Sequence, residues 1–310
     1  MVGIIQTTSK PLTITGACLL LAACGGGSSG GVSAPSEPAT GIIRIAITDA
    51  PVDEVSVVNV QFAGVTLKPE SGDEIRIDFD MLKDIDLLTL TGGQTAELLP
   101  DTEVPTGKYN WIRLAVNAEF DNVFDSYAMT PTGQIELRVP SGSQNGLKLV
   151  SGFTVTEDQS TNLIIDWDLR KALSGPADKP GFHLRPALRV TDMALFGTLS
   201  GTVAELLVTD ISCSNDLAAQ TGNAVYIYNS MTDTPGDIAD AQNDPLATAT
   251  VKQDEAGAYT YEVNFLSVGE YIAAFTCQAN DDDSETDDDI VFSAPQPFVI
   301  ENGVTTTVNF

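Results

Sequence analysis

The chain has 310 residues, 43% of them hydrophobic, which is enough for two domains with cores of their own. It carries 43 acidic residues against 15 basic ones, a formal net charge of −28. A field of that sign repels nucleic acid and anionic lipid, so neither is expected as a partner, and the ligand class it favours is a divalent cation.

Residues 11–23 (PLTITGACLLLAA) hold no charge and follow Lys10. The run is too short to cross a bilayer, which takes ~20 apolar residues, and has the length of an export-signal core. Leu21-Ala22-Ala23-Cys24 closes it, and Gly25 to Gly31 (GGGSSGG) follows. This resembles the lipobox of bacterial lipoprotein signals. The resemblance implies removal of residues 1–23, lipid attachment at Cys24 and membrane contact through that lipid alone. Three acyl chains exceed the two signals that stable anchoring needs. Gly25, where an aspartate would imply retention in an inner membrane, implies an outer-membrane lipoprotein. Plain secretion with Cys24 left as a free thiol is the alternative. Residues 24–40 read as a flexible tether, stiffened late by Pro35 and Pro38.

From residue 41 the pattern is that of strands. Ile43, Ile45 and Ile47 alternate with Arg44 and Ala46, as do Val58, Val60 and Phe62, and Ile75, Ile77 and Phe79 against Arg76 and Asp78. Trp111–Val116, Gln134–Val139, Leu163–Trp167 and Leu184–Val190 supply further strands, separated by turn signals such as Ser71-Gly72-Asp73 and Pro131-Thr132-Gly133. Helix is expected only at Met81–Leu90 and Leu169–Leu173. Short strands with frequent turns predict an all-β sandwich or barrel, with Trp111 and Trp167 in its core.

Several short motifs then occur in order: Asp49-Ala50-Pro51-Val52-Asp53, Pro105-Thr106-Gly107-Lys108-Tyr109 with Ile112-Arg113-Leu114, Pro140-Ser141-Gly142 with Gly146–Leu149, Asp166-Trp167-Asp168 and Leu184-Arg185-Pro186. Over residues 41–192 the chain resembles the bacterial lipoprotein module known as domain of unknown function 4382. That family implies an exported, usually lipidated β-rich module and no established activity. Trp167 stands where the family pattern leads one to expect Phe.

The charge balance changes at Leu195-Phe196-Gly197: from Gly197 onward 19 acidic residues face one basic one, Lys252, against 24 and 14 before it. This places a domain boundary there, dividing the folded chain into 41–195 and an acidic 196–310. The second part holds strand patterns at Gly197–Val203, Ala224–Tyr228, Ala247–Val251, Ala258–Phe265, Glu270–Cys277 and Thr305–Phe310. Tyrosines alternate through Asp254–Tyr261 and Leu266–Tyr271 with glycine at the turns. It is similar to the carboxypeptidase-regulatory-like, transthyretin-like β-sandwiches, which implies a spacer or binding platform. The fold class expected is therefore two β-sandwich domains behind a signal and a tether.

Export makes the compartment oxidising, and Cys213 and Cys277 are the two cysteines beyond the signal, so they are expected to pair. Closing a loop of 64 residues would stabilise the fold by ~4 kcal/mol.

Catalytic motifs are missing. His183 is the only histidine and lies in a strand-like stretch without a nucleophile elbow, and one histidine cannot build a histidine zinc site. Gly26-Gly27-Ser28-Ser29-Gly30 matches G-x-S-x-G but falls in the tether. Acidic pairs such as Asp78/Asp80 and Asp166/Asp168 leave a carboxylate-based hydrolase as the enzymatic alternative. The reading favoured is a non-enzymatic envelope protein that binds an envelope component or polysaccharide, with no cofactor unless Ca²⁺ is one. For Ca²⁺ the candidate is Asp281, Asp282, Asp283, Glu285, Asp287, Asp288 and Asp289, seven carboxylates in nine residues. The plain reading of that run is a solvated loop kept extended by self-repulsion. The tyrosines of the second part are expected to pack on strands, with an exposed sugar-stacking row as the alternative.

Overall fold

The structure is a computed structural model that describes residues 38–50, 55–139, 146–175 and 182–310. The signal, Cys24, most of the tether, Pro51-Val52-Asp53 and Pro140-Ser141-Gly142 lie outside the described residues. Residues 38–310 form one compact unit. It is nearly all β, and among the described residues no helix is long and apolar enough to cross a membrane.

Residues 40–192 build two sheets. The long strands come first: β1 (Thr40–Ala50), β2 (Val57–Pro69), β3 (Ile75–Asp86), β4 (Ala96–Pro105) and β5 (Gly107–Asn117). Shorter ones follow: β6 (Tyr127–Thr130), β7 (Gly133–Arg138), β8 (Leu147–Leu149) and β9 (Phe153–Val155). Then come β10 (Ser160–Asp168), β11 (Leu173–Ser174), β12 (Phe182–Leu184) and β13 (Leu188–Asp192). One sheet runs β13-β10-β1-β4; the other runs β11-β12-β7-β6-β2-β5-β8, with β3 also on β2 and β9 also on β5. The alternation noted in β1 and β2 does what a period of two requires. Ile43, Ile45 and Ile47 from the first sheet and Val58, Val60 and Phe62 from the second are fully buried in one core. Trp167 closes that core, with no exposure and its ring 6.3 Å from Phe62. Trp111 is 9% exposed and lies under the Arg113 guanidinium and the Lys148 ammonium, each 4.6 Å from the ring centre.

The helix expected at Met81–Leu90 does not form. Residues 81–86 continue β3, where Ile85 faces Val60 across the ladder, and only Leu87–Leu90 turn into a 3₁₀ segment capped by the Asp86 carboxylate on Leu88 N–H. Pairing with β2 overrides a spacing of apolar residues that a helix could also have used. The second expected helix is one turn, Leu169–Ala172, capped by Asp168 on Lys171 N–H.

Sheet pairing starts afresh after Asp192. Residues 196–307 hold β14 (Phe196–Val203), β15 (Ala224–Asn229), β16 (Ala247–Thr250), β17 (Lys252–Gln253), β18 (Tyr259–Ser267), β19 (Gly269–Thr276), β20 (Gln296–Ile300) and β21 (Thr305–Thr307). They form two four-stranded sheets, β17-β18-β14-β21 and β16-β15-β19-β20, around a core containing Leu199, Val225, Ile227, Phe275 and Ile300. Gly201 in β14 shows why glycine sits there: a Cβ would lie 1.7 Å from the Val308 carbonyl oxygen. Cys213 and Cys277 are joined in a disulfide at the margin of this core, Cα to Cα 5.0 Å.

β15 is buried on both faces, as its unbroken apolar run Ala224-Val225-Tyr226-Ile227-Tyr228 requires. Val225 and Ile227 enter the core between the sheets. Tyr226 and Tyr228 point the other way, into a second cluster with Ile238, Ile272 and Ala274, covered by Ile290 and Phe292. This outer cover brings the acidic loop into the fold.

Candidate functional site

Two buried tyrosines on one face of β15 need partners for their hydroxyls, because a buried O–H without one costs free energy. Tyr228 donates to the Gly236 carbonyl at 2.6 Å. Tyr226 donates to Asp282 of the acidic loop. Asp282 also accepts from Ile238 N–H at 3.2 Å, and the neighbouring Asp237 accepts from Asp288 N–H. The loop is therefore packed and hydrogen-bonded at these points, not the freely solvated segment of the plain reading.

The outcome is a convergence of Asp237, Asp282 and Asp288, whose carboxylate oxygens lie within 4.8 Å of one another. Asp237 is 3% exposed. Burial, opposed by the Tyr226 and Ile238 hydrogen bonds, pushes the Asp282 carboxyl up to about 6. The charge of the Arg170 guanidinium favours the ionised form of Asp282. Burial likewise raises Asp237, with the Asp288 N–H acting against it. Three carboxylate oxygens are hard donors of the kind Ca²⁺ takes, and they would supply three of its 6–8 ligands.

Of the residues the sequence singled out, Asp282 and Asp288 enter this convergence, and Asp281, Asp283, Glu285, Asp287 and Asp289 do not. Asp283 caps Glu285 N–H at 2.9 Å. Glu285 pairs with Arg185 at 2.6 Å and stands 3.7 Å from His183 Nδ1. Asp237 lies far from the acidic run in sequence, so composition gave it no prominence. The signal was the two tyrosines of β15, which demand a polar cover.

Of the acidic pairs considered for hydrolysis, Asp78, Asp166 and Asp168 are bonded elsewhere and Asp80 is exposed. Asp78 is exposed and bonded to Arg76 at 2.7 Å. Asp166 is bonded to Arg189. Asp168 is buried and takes Thr248 N–H at 2.7 Å and Thr248 Oγ1 at 3.0 Å, and burial raises its pKa. Asp168 is one of several bonds between residues 166–191 and the second half. Lys171 donates to Asp244 at 2.7 Å and to the Pro245 carbonyl, and Arg170 donates to the Ala279 carbonyl at 3.1 Å. Arg185 donates to the Ser284 carbonyl at 3.0 Å, and Thr191 to the Phe265 carbonyl at 2.8 Å.

The tyrosines form no exposed row. Tyr226, Tyr228 and Tyr261 are buried, and Tyr259 and Tyr271 are partly buried against the second core.

Residues 40–186 match the family described as Domain of unknown function (DUF4382), and this segment is a DUF4382 domain. No curated protein matches the chain in sequence. Among solved structures the chain is similar to the Bacillus anthracis TIE protein at 15% identity, with 88% of this chain and 34% of that one covered and a TM-score of 0.20. It is similar to the minor pilin of Streptococcus agalactiae at 13% identity, covering 86% and 94%, TM-score 0.19. A putative cell adhesion protein from Parabacteroides distasonis gives 11% identity, covering 84% of each chain, TM-score 0.23. The chain spans about a third of the length of the first of these.

Proposed function

We propose that the chain is a lipid-anchored protein of the cell envelope, held at the outer membrane by Cys24, whose folded part is a non-catalytic binding or structural module. The observation that carries this reading is Leu21-Ala22-Ala23-Cys24 between an uncharged apolar run and a glycine-serine tether. The all-β unit agrees with it: Asp78 and Asp166 are bonded to arginines, Asp168 to Thr248, and His183 stands beside Glu285. In this reading residues 196–310 are a transthyretin-like platform carried by the DUF4382 domain.

Expression of the full chain with an alkyne palmitate analogue tests it. The wild type should be labelled and sediment with outer membranes, while Cys24→Ala should be unlabelled and soluble. Equal labelling of both, or a wild type free in solution, overturns the anchor.

A second reading, a Ca²⁺-stabilised binding or adhesion protein, is favoured by the three carboxylates of Asp237, Asp282 and Asp288 meeting within 4.8 Å of one another. It predicts that EDTA lowers the Tm and that added Ca²⁺ restores it. An unchanged Tm in both directions ends that reading.

A further inference from the structure

A cavity of about 510 Å³ opens along the seam where β10 and β13 meet the second half. Its size falls within the ~300–1,000 Å³ of small-molecule pockets, which favour such junctions. Asp166, Arg185 and Arg189 wall it on one side, and Leu246, Asn264 and Phe265 on the other. We propose that this cavity is a binding site for a neutral oligosaccharide. The proposal rests on the reading of the chain as a binding module, and uses neither Cys24 nor the carboxylate cluster.

The backbone of the wall is unusual. Five non-glycine residues among those described adopt positive φ. Asn122, Asp158 and Gln220 are polar residues in turns or bends, where Asn and Asp tolerate the left-handed region. The other two, Ala239 (φ 78°) and Phe265 (φ 54°), both line the cavity. For a bulky residue such as Phe265 this conformation costs ~1–3 kcal/mol, and strain of that kind gathers at ligand sites. Phe265 is held there by pairing around it: its carbonyl accepts from Thr191 and the preceding Asn264 carbonyl accepts from Arg189.

Electrostatics disfavour an anion. Each cation of the wall already has a carboxylate: Arg189 has Asp166, Lys171 has Asp244, and Arg185 has Glu285. The wall therefore offers no surplus positive charge, and the chain's net charge of −28 repels an anion at range. A hydrocarbon ligand would strip water from these ionised groups without replacing its hydrogen bonds. Sugar hydroxyls both donate and accept, so they serve carboxylate and guanidinium alike. The C–H face of a sugar ring would lie against Phe265, Leu246 and Pro186.

Calorimetry and saturation-transfer NMR on the full chain in detergent micelles test this with five probes: maltotriose, cellotriose and tri-N-acetylchitotriose as neutral sugars, trigalacturonate as an anion and spermidine as a cation. At least one neutral trisaccharide should bind, more tightly than either charged probe. Leu246→Trp, at a site 40% exposed, narrows the cavity and should weaken that binding tenfold or more. Leu206→Trp, at a site 84% exposed outside the cavity, should leave it unchanged. Asn264→Ala, which shortens a lining side chain, should also weaken binding and decides the matter if Leu246→Trp misfolds. No binding of any neutral sugar, preference for a charged probe, or binding indifferent to the folded cavity variants overturns the proposal. Palmitate labelling at Cys24 is read independently, so the anchor and the cavity can fail separately.

Discussion

Replacing Asp282 by asparagine isolates one titration. In the folded chain burial raises the Asp282 carboxyl from 3.8 to about 6, against the hydrogen bonds from Tyr226 and Ile238 and the charge of Arg170, with Asp237 adding repulsion. A carboxyl whose folded pKa exceeds its unfolded one contributes stability below the unfolded value, and that contribution is lost as pH rises through the folded value. At 1.36 kcal/mol per unit, a rise of about two units makes the loss ~3 kcal/mol, an order-of-magnitude figure, between about pH 4 and pH 6. Asparagine keeps an acceptor for Tyr226 and Ile238 but cannot ionise. Asp282→Asn should therefore gain on the wild type by ~3 kcal/mol as pH climbs from 4 to 7. The measurement is urea unfolding at half-unit pH steps in the presence of EDTA, extrapolated linearly to water. Parallel stability curves for the two proteins across that window would refute the reasoning. Adding Ca²⁺ at pH 7 should close the gap by stabilising the wild type alone, because a bound cation favours the ionised carboxylate.

Three further outcomes follow from the same structure. Replacing Cys213 and Cys277 together by alanine should cost ~2–5 kcal/mol in chemical unfolding, and reduction of the wild type should reproduce the loss; an unchanged midpoint would exclude the bond as a constraint. Asp168→Ala strands the buried Thr248 N–H and should cost ~1–3 kcal/mol, with increased hydrogen exchange at residues 247–248; protection equal to wild type would count against its bridging role. Trp167→Ala should cost ~3–5 kcal/mol and Trp167→Phe clearly less, because the buried indole N–H has no partner to lose; equal costs in unfolding titrations would contradict this.

Much of the architecture could be read in advance because it rests on local period. The alternating isoleucines of β1, the turns between strands and the core position of Trp167 all follow from side chains pointing alternately to two faces. What failed was Met81–Leu90, where long-range pairing with β2 decided between two patterns the residues allow equally. The carboxylate cluster was half legible. Seven acids in one loop are conspicuous, but Asp237 joins them only through the packing of Tyr226 and Tyr228, which no local window contains. Charge held one more signal. Arg170, Lys171, Arg185 and Arg189 lie close together just before an acidic half with a single basic residue, and the structure sets them against it.

The position of β1 has a mechanical consequence. It runs in parallel register with β10 from Ile42 opposite Ser160 to Ala50 opposite Asp168, and antiparallel to β4 on its other side. A tug along its axis from the Thr40 end strains the ladder bonds on both flanks together, as shear, rather than opening them in turn like a zipper. A chain gripped by its leading end in moving fluid would then meet the pull along two ladders at once.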